Sequence, residues 1–115
     1  MIDFDFSIPT KVLFGVGKLD ELKREKLPGK LALIVISNGK TMRERGYLDR
    51  VLAALKHQNI DYMIYDKITV NAGKDEVMEA AQFARDNFCD FVLGLGGGSV
   101  IDAAKAIALM ARNPG

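Results

Sequence analysis

Three consecutive glycines followed by a serine form the segment of this sequence best suited to bind a ligand. Gly96, Gly97 and Gly98 follow the apolar run Phe91–Leu95 and precede an alanine-rich segment that continues to Ala108. The apolar run does not alternate with polar residues, which predicts a short strand buried on both faces. The glycines remove every Cβ at the point where this strand must turn into a helix.

The start of that helix is a predicted anion site. Ser99 is the predicted N-cap, and Asp102, three residues later, completes a pair that resembles a capping box. The unpaired amides at such a helix end would face a glycine-walled space that suits a phosphate or pyrophosphate. Alternatively, the glycines only allow the strand and helix to pack closely, although three in succession exceed that need. Asp102 and Lys105 either form an ion pair at i,i+3 spacing or face the glycine turn.

Strands that could position this turn are predicted along the whole chain. Asp3–Phe6 and Lys11–Phe14 form a short N-terminal strand pair, and Leu31–Ile36 is apolar throughout, as expected for a central strand. Ile60–Tyr65 is the next predicted strand, followed by a loop from Asp66 to Gly73.

Apolar residues at helical spacing predict a helix after each of the later strands. Their positions are Leu48, Val51, Leu52 and Leu55; then Val77, Ala80, Ala81, Ala84 and Phe88; then Val100, Ile101, Ala104, Ile107, Ala108 and Met110. A shorter helix with Leu19 and Leu22 is predicted before Pro28. Alternating strands and helices with short connections predict one α/β domain over residues 1–115, a doubly wound, mainly parallel, Rossmann-like sheet.

A second candidate ligand-binding segment is the loop after the Leu31–Ile36 strand. Asn38, Gly39 and Lys40 lie at the carboxyl end of that strand, where open α/β sheets bind their ligands. The common dinucleotide fold carries its glycine turn after the first strand. In this sequence the glycine turn follows the third of the three strongest strand–helix units.

The composition narrows the classes of partner. The formal net charge is +1 with scattered basic residues, which gives no support for binding nucleic acid or an acidic membrane. No apolar run approaches the roughly 18 residues that span a bilayer, and no signal peptide is recognisable. The single cysteine, Cys89, suits a reducing cytoplasm. His57, the single histidine, is predicted to lie on the surface, because a metal site needs several ligands.

Gly96–Lys105 matches the pattern GGGSxxDxAK at every defined position, and through it the chain resembles the amino-terminal domain of the iron-containing, or group III, alcohol dehydrogenases. Phe14–Gly17, the Leu31–Ser37 strand and Asn71 at a helix entrance support this resemblance. It implies a dehydroquinate-synthase-like N-terminal domain of an NAD(P)-dependent oxidoreductase that interconverts alcohols with aldehydes or ketones.

The resemblance also implies roles for individual residues of the cofactor site. Gly97, Gly98 and Ser99 would contact the pyrophosphate of the cofactor most closely. Asp102 would lie toward the nicotinamide, and Asn71 would lie along the adenosine.

One departure from the family pattern bears on the choice of cofactor. The family's loop after the second strand region often carries an aspartate that binds the adenosine ribose hydroxyls of NAD, whereas this chain has Asn38, Gly39 and Lys40 there. A carboxylate would repel a 2′-phosphate, but this loop leaves room for one, and Lys40 or Arg43 could pair with it. We therefore predict a preference for NADP over NAD.

A second departure concerns the catalytic metal. The family holds iron or zinc with one aspartate and three histidines in a helical carboxyl-terminal domain, and no such ligand set is recognisable in this sequence. We therefore predict no catalytic or metal-binding residue in residues 1–115, and we expect this truncated part to be inactive alone. The resemblance implies that the full-length enzyme is a cytoplasmic homodimer that acts on small alcohols or aldehydes. The alternatives are a stand-alone nucleotide-binding module and a related glycerol dehydrogenase, maleylacetate reductase or dehydroquinate-synthase-like enzyme.

Overall fold

A four-stranded parallel sheet organises the chain. The structure, a computed structural model, describes residues 10–13, 27, 29–69 and 73–112. The strands lie in the order β1-β4-β2-β3, and each neighbouring pair is parallel. They are β1 (Thr10–Leu13), β2 (Leu31–Ser37), β3 (Asp61–Ile68) and β4 (Phe91–Leu95). The predicted α/β class with a parallel sheet is confirmed.

Helices connect these strands and cover the sheet. They are α1 (Thr41–Glu44), α2 (Tyr47–His57), α3 (Lys74–Asp86) and α4 (Gly98–Arg112). From β2 the chain passes through α2 to β3, which lies on one side of β2. From β3 it passes through α3 and crosses over β2 to β4, which lies on the other side. Because parallel crossovers are right-handed, these opposite directions place α2 and α3 on opposite faces of the sheet. Helix α4 packs beside α3.

The core runs along the two central strands. Every residue of β4 is buried, as are residues 32–36 of β2. Such continuous burial occurs when both faces of a parallel strand are covered, which is why the sequence shows an unbroken apolar run there. The apolar face predicted for the helix after Gly46 is also confirmed, with Leu52 partly buried and Leu48, Val51 and Leu55 buried.

Strand β3 is longer than predicted. The expected loop from Asp66 onward was wrong for its first three residues, because β3 continues to Ile68. The polar pair Asp66 and Lys67 interrupts the apolar pattern, but Ile68 returns to the core. It pairs with Ser37 because β3 contains one extra residue after the Val35–Tyr65 pair, which shifts the register.

Phe88 does not belong to the buried face of α3, contrary to our prediction. The helix ends at Asp86, and the side chain of Phe88 is 85% exposed. The backbone of Phe88 has a φ of 59°, so the chain reverses before its side chain can follow the helical face. The four earlier members of the predicted face are buried: Val77, Ala80, Ala81 and Ala84.

Three predictions concern residues outside the described part of the chain. They are the strand at Asp3–Phe6, the short helix with Leu19 and Leu22, and the placement of Asn71.

Asp90 fixes the amino end of β2. Its carboxylate accepts hydrogen bonds from the backbone N–H of Lys30, at 2.9 and 3.1 Å, and from that of Leu31, at 3.0 Å. A Cβ added to Gly29 would lie 2.1 Å from a carboxylate oxygen of Asp90 and 2.9 Å from the ring of buried Phe91. Gly29 is therefore required by packing.

The thiol of Cys89 should be unreactive in the folded chain. Its burial, together with the negative charge of Asp90, raises the pKa of Cys89 from 9.0 to about 11. Because the folded state favours the protonated thiol, this contribution to stability is complete below pH 9 and is lost as the pH rises toward 11. At pH 8 we expect a thiol reagent to react about 100-fold more slowly with the native chain than with the denatured chain. Cys89 is the single cysteine of residues 1–115, so within this segment the reaction reports on this site alone. Equal rates would contradict the prediction.

Candidate functional site at the carboxyl edge of the sheet

The two candidate segments of the sequence leave the sheet side by side. Strands β2 and β4 are neighbours, and their last aligned pair is Val35 with Gly94. The loop from Asn38 and the turn from Gly96 therefore begin at the same edge. The chain proceeds from β2 to one side and reaches β4 on the other, so this edge is a topological switch point. Open α/β sheets bind ligands in the crevice at such a point.

Gly96 is required by the fold itself. Its φ is 147°, a conformation that residues with a side chain rarely adopt. An added Cβ would also lie 3.2 Å from Cβ and Cγ2 of Val100. This first glycine makes the turn between β4 and α4 and lets the helix pack on the strand.

Gly97 and Gly98 are not required by the fold. Both are exposed, and a Cβ added to either would meet no atom within 4 Å. Neither has a positive φ. Close packing of strand on helix therefore accounts for Gly96 but not for the next two glycines, which leave a bare backbone facing open space. Such a surface fits a ligand that must approach the backbone closely.

The predicted N-cap at Ser99 was wrong. Helix α4 begins at Gly98, and the N–H of Ile101 donates to the carbonyl of Gly97 at 3.0 Å. Ser99 and Asp102 are consequently exposed residues within the helix rather than a capping pair. The helix thus begins one residue before Ser99, inside the glycine segment. The first-turn amides that precede the first helical donor, Ile101, are those of Gly98, Ser99 and Val100.

The Asn38–Lys40 loop is exposed and anchored to β3. The backbone N–H of Asn38 donates to the carbonyl of Ile68 at 2.8 Å. A Cβ on Gly39 would make an ordinary contact of 3.7 Å with Oγ of Ser37, so packing does not demand glycine there either. The carbonyl of Lys40 accepts bonds from the N–H groups of Arg43 and Glu44, which starts α1.

An ion pair beside this loop was missed from the sequence. The guanidinium of Arg43 lies 2.7 Å from Oδ2 of Asp66, and the two side chains are 47% and 45% exposed. The sequence pattern predicts a loop at Asp66, and the pairing depends on β2 and β3 being neighbours. Arg43, which we had predicted as a possible partner for a 2′-phosphate, is thus already engaged by a carboxylate.

A second missed contact ties the end of β3 to α3. The carboxylate of Glu76 accepts hydrogen bonds from the backbone N–H of Thr69, at 3.1 Å, and from its hydroxyl, at 2.8 Å. Tyr65 donates to Glu79 one turn later, and burial and this bond raise the pKa of Tyr65 to about 12. A threonine followed seven residues later by a glutamate in a first helical turn could have suggested the first contact.

The remaining candidate residues do not form a metal site. Asp102 and Lys105 are exposed on α4, and His57 is exposed at the end of α2. In the described residues no group of three histidine, cysteine, aspartate or glutamate side chains could hold a metal ion. We therefore assign no metal-binding role to any of these described residues.

A cavity of 410 Å³ lies elsewhere, at the amino end of β3. It is lined by Leu52, Ala53, Lys56, Asn59, Ile60, Asp61 and Tyr62. The candidate ligand site lies at the carboxyl ends of β2 and β4, at the opposite edge of the sheet. This cavity is therefore separate from that site.

The parallel sheet, its covered faces and its open switch point define a doubly wound α/β domain with its ligand crevice at the carboxyl edge. Comparison with known proteins gives the family. The sequence profile described as "Iron-containing alcohol dehydrogenase" matches residues 9–115. The chain belongs to this family.

Individual relatives agree with this assignment. The chain is 41% identical over 109 residues to NADH-dependent butanol dehydrogenase A of Clostridium acetobutylicum, covering 94% of this chain and 28% of that protein. It is 35% identical to the NADPH-dependent aldehyde reductase YqhD of Escherichia coli, covering 99% and 29%. The crystal structure of an iron-containing alcohol dehydrogenase from Thermotoga maritima matches with a TM-score of 0.78 and 37% identity, covering 93% and 30%.

The relatives include both NADH-dependent and NADPH-dependent enzymes. This chain spans less than a third of the length of each of these three proteins. In the described residues no helix is long and apolar enough to cross a membrane.

Proposed function

We propose that this chain is the cofactor-binding part of an NAD(P)-dependent, metal-dependent alcohol dehydrogenase that interconverts alcohols with aldehydes or ketones. The observation that carries the proposal is the pair of glycines at the start of α4, since neither packing nor backbone conformation accounts for Gly97 or Gly98. Family membership supports the reaction class. When bound, the cofactor supplies the hydride acceptor or donor for the reaction.

We assign the parts of the cofactor to both candidate segments. Gly97, Gly98 and Ser99 would hold the pyrophosphate against the N-terminus of α4, whose partial positive charge favours an anion. The Asn38–Lys40 loop, at the neighbouring strand end, would contact the adenosine ribose. Asp102 would face the nicotinamide end, and Asn71 the adenosine, as the family resemblance implies.

We propose NADP as the preferred cofactor. Asn38 and Gly39 present no carboxylate to a 2′-phosphate, and Lys40 supplies a positive charge in the same exposed loop. Arg43 is held by Asp66, so Lys40 carries most of this preference.

Fluorescence titration of the complete gene product with NADPH and NADH tests the proposal. We expect tighter binding of NADPH, and we expect Lys40→Ala to weaken it about tenfold while NADH affinity changes less than about twofold. Lys56→Ala is the matched control, because Lys56 is an exposed lysine at the opposite edge of the sheet.

Failure to bind either cofactor would refute the proposed function. Clearly tighter binding of NADH, with no loss of NADPH affinity in Lys40→Ala, would refute only the preference for NADP.

Cytoplasmic location and a homodimer of the complete enzyme, with iron or zinc bound outside this segment, are also part of the proposal. The family resemblance supports all three, and the single, buried cysteine of this segment supports the location. Sedimentation velocity of the same preparation would test the dimer.

A further inference from the structure

We propose that Asp66 is a specificity-determining residue that lowers the affinity of this site for a 2′-phosphate by holding Arg43 in an ion pair. The inference rests on the proposed cofactor function. Asp66 lies on β3, outside the Asn38–Lys40 loop that follows β2.

The position of the pair connects it to the ribose-binding loop. Arg43 follows Lys40 by three residues, and its backbone N–H donates to the Lys40 carbonyl at 3.1 Å. Asp66 precedes Ile68 by two residues, and the Ile68 carbonyl accepts from Asn38 at 2.8 Å. The two charged residues therefore flank the loop, one from its following helix and one from the neighbouring strand.

The charges explain the direction of the effect. Arg43 and Asp66 are in contact at 2.7 Å, so the pair has no net charge where a 2′-phosphate would bring a negative charge of about two. Asp66 also takes one of the two terminal nitrogens of the guanidinium, which would otherwise be free to offer paired donors to phosphate oxygens. Both side chains are about half exposed, so a ligand at this edge can compete for Arg43. In the native chain such a ligand must share Arg43 with the carboxylate of Asp66, whose negative charge opposes it.

The choice between cofactors is thus controlled by three charged residues. Lys40 attracts the 2′-phosphate, Arg43 could attract it, and Asp66 restrains Arg43. A cofactor with a free 2′-hydroxyl is nearly indifferent to this arrangement, because it carries no charge at that position. The expected signature is a change in NADPH affinity without a change in NADH affinity.

Asp66→Asn in the complete gene product tests the proposal. We expect the Kd for NADPH to fall about three- to tenfold at low ionic strength, and the gain to shrink as salt screens the exposed charges. The Kd for NADH should change less than about twofold. Asp61→Asn is the matched control, because it removes the same charge from the same strand at the opposite end, also at an exposed position.

The double variant Arg43→Ala/Asp66→Asn identifies the group responsible. If Asp66 acts through Arg43, the gain in NADPH affinity disappears in the double variant. Asp66→Ser serves the same purpose if Asp66→Asn folds poorly, as judged by its thermal midpoint. Unchanged or weaker NADPH binding in folded Asp66→Asn or Asp66→Ser would overturn the inference, as would a gain that persists without Arg43. These outcomes assume that the unaltered protein binds a cofactor; if it binds neither, the proposed function fails first.

Discussion

Replacing Gly98 by alanine should leave the fold intact and weaken cofactor binding by about tenfold to hundredfold. The added methyl group meets no protein atom within 4 Å, and the residue already has an ordinary backbone conformation at the start of α4. Alanine is also the better helix former, so stability should be unchanged or higher by up to about 1 kcal/mol. The methyl group would, however, occupy space that we assign to the cofactor pyrophosphate.

Two measurements separate these effects. The thermal midpoint of Gly98→Ala should equal or exceed that of the unaltered protein, while titration with NADPH should show the loss of affinity. Gly96→Ala provides the contrast, because its φ of 147° and the 3.2 Å approach to Val100 make it destabilising irrespective of any ligand. If Gly98→Ala binds NADPH within twofold of the unaltered protein, the assigned position of the pyrophosphate is wrong.

Gly29→Ala should destabilise the fold by about 2–4 kcal/mol without involving the ligand crevice. The new Cβ would overlap the Asp90 carboxylate, which is held in place by the backbone N–H groups of Lys30 and Leu31. If the carboxylate moves away, those hydrogen bonds are lost. If it does not, the strain is transferred to Phe91 in the core.

Urea denaturation of the complete gene product measures this cost. Gly39→Ala is the matched control: its Cβ makes only an ordinary 3.7 Å contact, so its free energy of unfolding should change by less than about 0.5 kcal/mol. In an Asp90→Ala background, Gly29→Ala should cost less, because one of its two clashes is gone. An equal cost in both backgrounds would show that Asp90 is not the obstacle.

The central strands and the family were predictable because their signals are local. Burial on both faces makes β2 and β4 unbroken apolar runs, and the glycine motif is contiguous. The end of β3 was not predictable from the same rule, since Asp66 and Lys67 interrupt the pattern before Ile68 returns to the core.

Features that depend on backbone reversal or on strand order could not be predicted from periodicity. Phe88 continues the helical spacing of α3, but the helix ends two residues earlier. The pairing of Arg43 with Asp66 joins residues 23 positions apart and requires β2 and β3 to be adjacent. The fold requires Gly96 but not Gly97 or Gly98. That difference follows from the φ of Gly96 and its distance to Val100, and a run of three glycines in the sequence reveals neither.

The strand order also determines when during synthesis the site can exist. In the described sheet, β1 is paired only through β4, although about eighty residues separate the two strands in sequence. Within the described sheet, β1 can therefore pair only after β4 has left the ribosome and can insert between β1 and β2. Contacts of such long range are slow to form. The same insertion brings the glycine turn beside the Asn38 loop, so completion of the sheet and assembly of the ligand crevice are one event in folding.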